Sequence, residues 1–267
     1  MIRERDMSEE KIIIEESNHI LFITFNRPKM YNALDPESYH ILGRALYRLE
    51  HDKNLRVGVI QANGKHFTSG LELDKWAPIF AKGETIKFAD DELDPYSVYG
   101  EALSKPLICA VQGLCYTSGL ELLLNTDIRI ATADTRFAQL EVQRGIYPCG
   151  GGTIRLPEEI GWGNAQRYIL TGDEFHAEQA LNWGMLQEIV LPENLHSRAK
   201  ELAEKIVKAA PLGVQAALKS SKVSRQYTQK QALESVFQAM PVVMKSNDAR
   251  EGVLSFMERR EAKFTGD

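Results

Sequence analysis

The stretch from Gly113 to Thr153, GLCYTSGLELLLNTDIRIATADTRFAQLEVQRGIYPCGGGT, decides the fold. Its apolar run at residues 120–124 predicts a buried helix, and residues 128–131 predict a strand that follows it. A helix and a strand in succession are the building blocks of an α/β protein. The stretch also carries two glutamates, Glu121 and Glu141, each beside a glycine-containing turn.

The same alternation extends along the chain before and after this stretch. Further strands are predicted at 11–15 and 20–25 as a hairpin, and at 57–61, 66–73, 106–111 and 185–190. Helices are predicted after the N-cap residue Asp35, around 99–104, and at 151–160, 164–170 and 177–183. Residues 76–95 lack a regular pattern, which indicates a long loop that is either functional or mobile.

The pattern changes after Leu191-Pro192, because every later segment is helical. One of these helices is marked by the capping box Thr228-x-x-Gln231, followed by Leu233, Val236, Phe237 and Met240. The sequence therefore predicts an α/β core in residues 1–191, which holds the functional site, and a helical C-terminal subdomain in residues 192–267.

Composition excludes several classes of function. The chain has 267 residues and a formal charge of −5, with no long basic block, so nothing points to nucleic acid or to a membrane surface. The N-terminus has no apolar signal segment, and no run of eighteen apolar residues occurs. The three cysteines, Cys109, Cys115 and Cys149, form no CxxC pair, which favours a reduced, cytoplasmic location.

Common catalytic motifs are also missing. The sequence contains no GxxxxGK[ST] phosphate loop, no GxGxxG, no HExxH and no GxSxG. Its six histidines form no metal-ligating pair. Nucleotide hydrolysis, zinc chemistry and serine hydrolysis therefore have little support, and no metal site is predicted.

Glu121 lies among apolar neighbours, and burial of a carboxyl raises its pKa toward the range useful for proton transfer. An alternative stays open, because Ser118-Gly-Leu-Glu121 also matches a capping box in which the glutamate bonds the Ser118 amide. Glu141 alone fits a solvated loop residue. Two carboxylates in different surroundings, however, are a recurring acid–base device.

Three glycine-containing turns could present backbone amides to a negatively charged oxygen: Thr68-Ser-Gly70, Thr117-Ser-Gly119 and Cys149-Gly-Gly-Gly-Thr153. Each could equally be ordinary turn chemistry or a tight connection. Cys149 alone is better explained as a packing residue than as a nucleophile, since no histidine lies nearby in the sequence.

A set of motifs in one order resembles the crotonase superfamily, the enoyl-CoA hydratase/isomerase family. They are Asn26-Arg-Pro-Lys-x-Tyr-Asn-Ala-Leu34, Phe67-Thr-Ser-Gly-Leu-Glu-Leu73, Ala110-Val-Gln-Gly, Glu121 with Asp127, Phe137-x-Gln-x-Glu141, Gly145-x-x-Pro148, Gly151-Gly-Thr-x-Arg-Leu156, Leu170-Thr-Gly-Asp173 and Glu251-Gly-x-x-x-Phe-x-Glu-Arg-Arg260. The resemblance covers nearly the whole chain. It implies a spiral of ββα units with a helical C-terminal part that forms a trimer or a dimer of trimers.

The resemblance also implies the substrate, an acyl thioester of coenzyme A, and the roles of individual residues. The amides of Leu71 and Ser118 would hold the thioester oxygen, Glu121 would help activate a water, and Glu141 would exchange the proton at the α-carbon. Binding of the substrate would involve Lys29, Ser69, Gly70, Leu71, Cys149 and Lys263. No cofactor is implied, because coenzyme A is part of the substrate.

The chain departs from the family pattern at Thr117-Ser118 and at Cys149, where relatives usually carry glycine. Retention of both glutamates favours an enoyl-CoA hydratase. An enoyl-CoA isomerase, or another family enzyme that passes through a CoA enolate, is the main alternative. A degenerate member that acts as a scaffold or RNA-binding protein is the second, although the negative charge counts against RNA.

Overall fold

The computed structural model describes residues 10–83, 86–226, 231 and 240–267. Its strands are β1 (Ile12–Ser17), β2 (Ile20–Phe25), β3 (Val57–Ala62), β4 (Leu107–Val111), β5 (Leu114–Tyr116), β6 (Ile128–Thr132), β7 (Arg136–Ala138), β8 (Phe175–His176) and β9 (Glu188–Val190). Its helices are α1 (Pro36–His51), α2 (Leu73–Phe80), α3 (Ser118–Leu124), α4 (Gly152–Ile160), α5 (Trp162–Thr171), α6 (Ala177–Asn182), α7 (Leu195–Val207), α8 (Pro211–Gln226) and α9 (Asn247–Glu258).

Two sheets form the core. The larger has the order β1-β2-β3-β4-β6-β9; β1 and β2 make the predicted antiparallel hairpin, and all later pairs are parallel. The smaller has the order β5-β7-β8, and an isolated bridge between Thr68 and Cys115 extends it. The chain therefore passes from a strand of the large sheet to the small sheet and then to a helix, as in β4-β5-α3. This arrangement confirms the predicted α/β spiral.

The large sheet is covered on both faces, which explains its continuous apolar strands. On one face, Ile20, Val57, Ile108 and Ile130 pack against helix α7. The larger core lies on the opposite face and includes residues of α1, α3, α4, α5 and α6. Helix α1 begins as predicted, because the Asp35 carboxylate accepts the Ser38 N–H at 2.8 Å.

Three local predictions were wrong. Residues 66–73 make only single bridges, since Gly70 has φ +102° and interrupts the extended chain. Helix α2 occupies part of the predicted 76–95 loop. No helix forms at 99–104, because the Asp94 carboxylate accepts the N–H groups of Tyr96, Val98 and Tyr99 and replaces helical bonding just before it.

The C-terminal part is helical in its described portion, with α7, α8, residues 240–244 and α9. The predicted capping box at Thr228 and the apolar positions Leu233, Val236 and Phe237 lie outside the described residues. None of the helices in the described ranges combines the length and apolar composition needed to cross a membrane.

Candidate active site

Glu121 lies in the middle of the buried helix α3 and is only 4% exposed. Its carboxylate oxygen Oε1 accepts two backbone N–H groups, from Gly150 at 2.7 Å and from Gly152 at 2.9 Å. The capping-box interpretation of Ser118 and Glu121 is therefore wrong, because the carboxylate bonds the glycine-rich turn instead of its own helix start.

The glycine-rich turn can approach Glu121 only because it lacks side chains. A Cβ on Gly150 would lie 2.8 Å from Glu121 Oε2 and 2.9 Å from Cγ of Tyr96. A Cβ on Gly152 would lie 3.1 Å from Glu121 Oε1. The sequence left two alternatives for the turn at residues 149–153: free backbone amides, or a tight connection. Two of its amides, those of Gly150 and Gly152, donate to the Glu121 carboxylate and position it.

Glu141 follows strand β7, opens a 3₁₀ turn and is only 8% exposed, so it is not a solvated loop residue. With the amide nitrogen of the fully buried Gln139 facing the carboxylate, that nitrogen donates to Oε1 at 2.8 Å and to Oε2 at 2.9 Å. Side chains alternate between the two faces of an extended chain. Gln139 and Glu141 follow strand β7 and stand two residues apart, so this alternation brings their side chains to the same face.

Both carboxyls have raised pKa values. Burial raises the pKa of Glu121 to about 7, although the amides of Gly152 and Gly150 oppose this by stabilising the charged form. Burial raises the pKa of Glu141 to about 8, and the neighbouring charge of Glu121 adds to the effect. Near neutral pH the pair of carboxyls is therefore partly protonated, so it can both accept and donate a proton.

The two predicted oxyanion amides belong to neighbouring turns. Gly70 packs so closely on Thr117 that a Cβ at Gly70 would lie 1.9 Å from Thr117 Oγ1, which brings the following residues, Leu71 and Ser118, to the same region. Among the described residues, neither the Leu71 N–H nor the Ser118 N–H meets a hydrogen-bond acceptor. Both amides are thus available for an acceptor oxygen.

The turn before α3 carries backbone strain. Thr117 has φ 49° and ψ −117°, a conformation that a β-branched residue rarely adopts. Glycine adopts this conformation readily. Threonine at position 117, where the resemblance predicts glycine, therefore costs conformational free energy. Such strain is typical of functional sites.

The other predicted binding residues divide into two groups. Lys29 lies in the exposed turn Pro28–Met30, which joins the Leu71 loop through a 3.0 Å bond from the Ser69 N–H to the Tyr31 carbonyl. Lys263 is elsewhere: it is exposed, its N–H donates to Glu251 Oε1 at 2.8 Å, and it lines a surface cavity with Arg260.

Cys149 is exposed and stands beside the two carboxyls. Its thiol donates to the Tyr147 carbonyl at 3.2 Å. Burial of the sulfur raises the pKa of the thiol, and the charges of Glu121 and Glu141 raise it further. The thiol therefore stays protonated at neutral pH and is not activated as a nucleophile.

Three residues of the site were not predicted. Gln139 and Arg155 belong to the motifs Phe137-x-Gln-x-Glu141 and Gly151-Gly-Thr-x-Arg-Leu156. Membership in these motifs was the only sequence feature that could have indicated a role in the site. Arg155 donates to the Gly150 carbonyl at 3.0 Å and to the Tyr96 carbonyl at 2.6 Å, and so fixes the turn that holds Glu121. Tyr96 follows an irregular segment that carries no periodic pattern.

In the described part of the chain, no cluster of three histidine, cysteine or acidic side chains could hold a metal.

Comparisons with known proteins identify the family of this chain. A family model described as enoyl-CoA hydratase/isomerase matches residues 15–267. An enoyl-CoA hydratase of Mycobacterium tuberculosis is 32% identical over 255 residues, which cover 94% of this chain and 95% of that protein. A carnitinyl-CoA dehydratase of Salmonella arizonae is 33% identical over 266 residues, with 96% and 99% covered. A crystal structure from Mycobacterium abscessus, described as a probable enoyl-CoA hydratase/isomerase, superposes with a TM-score of 0.92 at 40% identity and covers 96% of this chain and 99% of that one.

Proposed function

The chain belongs to the enoyl-CoA hydratase/isomerase family, the crotonase superfamily, and we propose that it is an enoyl-CoA hydratase that adds water in the syn sense to a 2-enoyl-CoA. As a member it is an enzyme of acyl-CoA chemistry. The observation that carries the finer assignment is the pair of buried carboxyls, Glu121 and Glu141, each held by its own hydrogen-bond donors and each with a raised pKa.

The surroundings of the two carboxyls assign their roles. Glu121 accepts two amide N–H groups, which favour its ionised form, so it takes a proton from water. The water oxygen then bonds to the β-carbon, and the electrons of the double bond move toward the thioester carbonyl. Glu141, the group with the higher pKa, donates its proton to the α-carbon. Proton exchange between the two carboxyls restores the starting state.

The amides of Leu71 and Ser118 would stabilise the enolate formed during this transfer. Their neighbours Gly70 and Thr117 are in contact, and neither amide has an acceptor within the described residues. Loss of one such donor typically costs about 10²–10³ in turnover. Amide donors of this kind act on the charge that develops on the thioester oxygen.

We propose binding roles for the remaining predicted residues. Ser69 and Gly70 would line the thioester path beside Leu71, and Cys149 would line the pocket next to the carboxyls. Lys29, exposed near the Leu71 loop, would bind coenzyme A phosphates, and Lys263 is a second candidate. No cofactor is needed, because the substrate carries coenzyme A itself.

We also propose an assembly and a location for the chain. The described C-terminal helices expose large apolar side chains: Val242, Met244, Val253, Phe256 and Met257, with Phe256 84% exposed. Exposed apolar groups of this size favour self-association, which supports a homotrimer or a dimer of trimers through residues 192–267. Sedimentation velocity would test it. The free thiols favour a reducing, cytoplasmic location.

The test compares the wild type with Glu121→Gln and Glu141→Gln in hydration of crotonyl-CoA and longer 2-enoyl-CoA substrates. Removal of either group should lower kcat by about 10²–10⁴. Glu178→Gln, which changes an exposed glutamate of helix α6, is the matched control and should leave the rate unchanged.

Two outcomes would replace the proposal. Fast migration of the double bond in a 3-enoyl-CoA, without hydration at any chain length, would make the protein an isomerase. Absence of both reactions, together with no thermal stabilisation by saturating acyl-CoA, would favour a scaffold.

A further inference from the structure

The Ser118 side chain has no role in the proposed hydration, which uses only its backbone amide. The side chain is 4% exposed, and its hydroxyl completes no hydrogen bond with any described residue. An unpaired buried hydroxyl is costly and uncommon in proteins. This hydroxyl stands at the start of helix α3, which also carries Glu121, and is available to a hydrogen-bonding group of a bound molecule.

A second hydroxyl, that of Tyr96, faces the same point. The Tyr96 ring and the Glu121 carboxylate both lie against Gly150, since a Cβ there would be within 3 Å of each of them. The Ser118 hydroxyl faces the phenol and lowers its pKa in the way a hydrogen-bond partner does, yet the two oxygens do not reach the geometry of a full hydrogen bond. The two groups are adjacent without satisfying each other.

Tyr96 is held in this position from three sides. The Asp94 carboxylate accepts its N–H at 2.9 Å, the Arg155 guanidinium donates to its carbonyl at 2.6 Å, and Gly150 supports the ring. Burial raises the pKa of the phenol well above its usual value, and the nearby charge of Glu121 adds to this. The phenol is thus a fixed, neutral hydrogen-bond donor.

The surroundings restrict what this pair can bind. Tyr39 packs on Tyr96 with ring centroids 5.6 Å apart, and Trp76 packs on Tyr39 at 4.8 Å, so the wall behind the phenol is aromatic. Glu121 and Glu141 supply negative charge on the other side, which disfavours an anionic group. A neutral oxygen, which can both accept from the phenol and pair with a serine hydroxyl, satisfies these requirements.

We propose that the hydroxyls of Tyr96 and Ser118 form a polar subsite for a neutral oxygen on the acyl group, so that the preferred substrate is a 2-enoyl-CoA with a hydroxyl or keto group close to its double bond. This inference rests on the proposed hydratase function for its kinetic test. Such a polar subsite would distinguish this pocket from one that is selective for unsubstituted aliphatic acyl chains.

The kinetic test compares crotonyl-CoA with 4-hydroxycrotonyl-CoA, which differ by one hydroxyl. The wild type should prefer the hydroxylated substrate in kcat/KM, and Tyr96→Phe and Ser118→Ala should each reduce that preference roughly tenfold. Tyr99→Phe removes an exposed phenol from the same loop and should leave the preference unchanged. No preference in the wild type, or equal losses on both substrates in Tyr96→Phe, would overturn the inference, because the hydroxyl would then act on a group common to both.

A binding measurement separates failure of this inference from failure of the proposed function. Pentanoyl-CoA and 4-oxopentanoyl-CoA lack the reacting double bond, so calorimetry reports the subsite alone. Tighter binding of the keto compound by the wild type, lost in Tyr96→Phe, supports the subsite even if no hydration occurs. Equal affinity of the wild type for the two compounds contradicts it.

Discussion

Gly152→Ala tests whether the amides of the glycine-rich turn control the Glu121 carboxylate, the proposed base. Gly152 opens helix α4, and its backbone needs no positive φ, so alanine is compatible with the helix. Its Cβ, however, would lie 2.7 Å from the Gln139 side-chain amide and 3.1 Å from Glu121 Oε1. Both neighbours would have to move, and the 2.9 Å bond from the Gly152 N–H to Glu121 would weaken.

The size of the effect follows from that bond. A hydrogen bond to a charged group contributes about 1.5–3 kcal/mol, so its loss corresponds to roughly a 10- to 100-fold decrease in kcat/KM. The amides stabilise the ionised form of Glu121, so weakening one of them raises the pKa of this carboxyl above its value of about 7. With Glu121 as the proposed base, the acid limb of the pH–rate profile should shift to higher pH by about one unit.

The assay follows hydration of crotonyl-CoA by its loss of absorbance, over a pH range that covers both limbs of the profile. Gly163→Ala is the matched control, because it is the same substitution in helix α5 with no atom within 4 Å of the new Cβ. Thermal unfolding should show that both variants stay folded. Wild-type kcat/KM and an unshifted acid limb in Gly152→Ala would refute the assignment of Glu121 as the base held by this turn.

Three other substitutions test separate parts of the site. Folding raises the pKa of Glu141 from 4.5 to about 8, so the free energy of unfolding falls as the pH rises through that window. Glu141→Gln should lower kcat by about 10²–10⁴ and yet be more stable than the wild type above about pH 8 in thermal unfolding. Thr117→Gly should be more stable than Thr117→Ala by about 1 kcal/mol in denaturant unfolding, because only glycine relieves the strained backbone, and equal stability would contradict strain at this residue. Gly70→Ala should lose activity in the hydration assay because its Cβ would collide with Thr117, whereas Gly100→Ala, also at positive φ but with open space around it, should keep it.

Much of the fold could be predicted from local patterns. Continuous β-branched runs mark strands that are buried on both faces, and these gave β2, β3, β4 and β6 within a residue or two. Asp35 before Pro36 marked the start of α1 because capping is a local interaction. Predictions failed where a distant or side-chain partner replaced the local bond, as at residues 99–104, whose preceding turn is organised by Asp94.

The site was only partly predictable for the same reason. The order of motifs identified Glu121 and Glu141, and the chain indeed buries both. The donors that hold Glu121 lie 29 and 31 residues away, beyond any local pattern. The neighbours of Glu121 fit a capping box equally well, so three-dimensional contacts were needed to choose between the two interpretations. Tyr96 had no sequence signal, since its position depends on Asp94, Gly150 and Arg155 together.

The choice of partner for Glu121 determines whether this site can work. A carboxylate that capped its own helix would occupy the Ser118 N–H, and the proposed oxyanion donor and the base would exclude each other. The amides of Gly150 and Gly152 bind the carboxylate instead, which leaves the Ser118 N–H without an acceptor among the described residues. The turn before α3 accepts the backbone N–H of Glu121 through the Thr117 carbonyl, but it supplies no donor to the carboxylate. Because these donors belong to a different turn, Thr117 and Ser118 are compatible with the carboxylate position although the resemblance predicts glycines there; their cost is the backbone strain at Thr117.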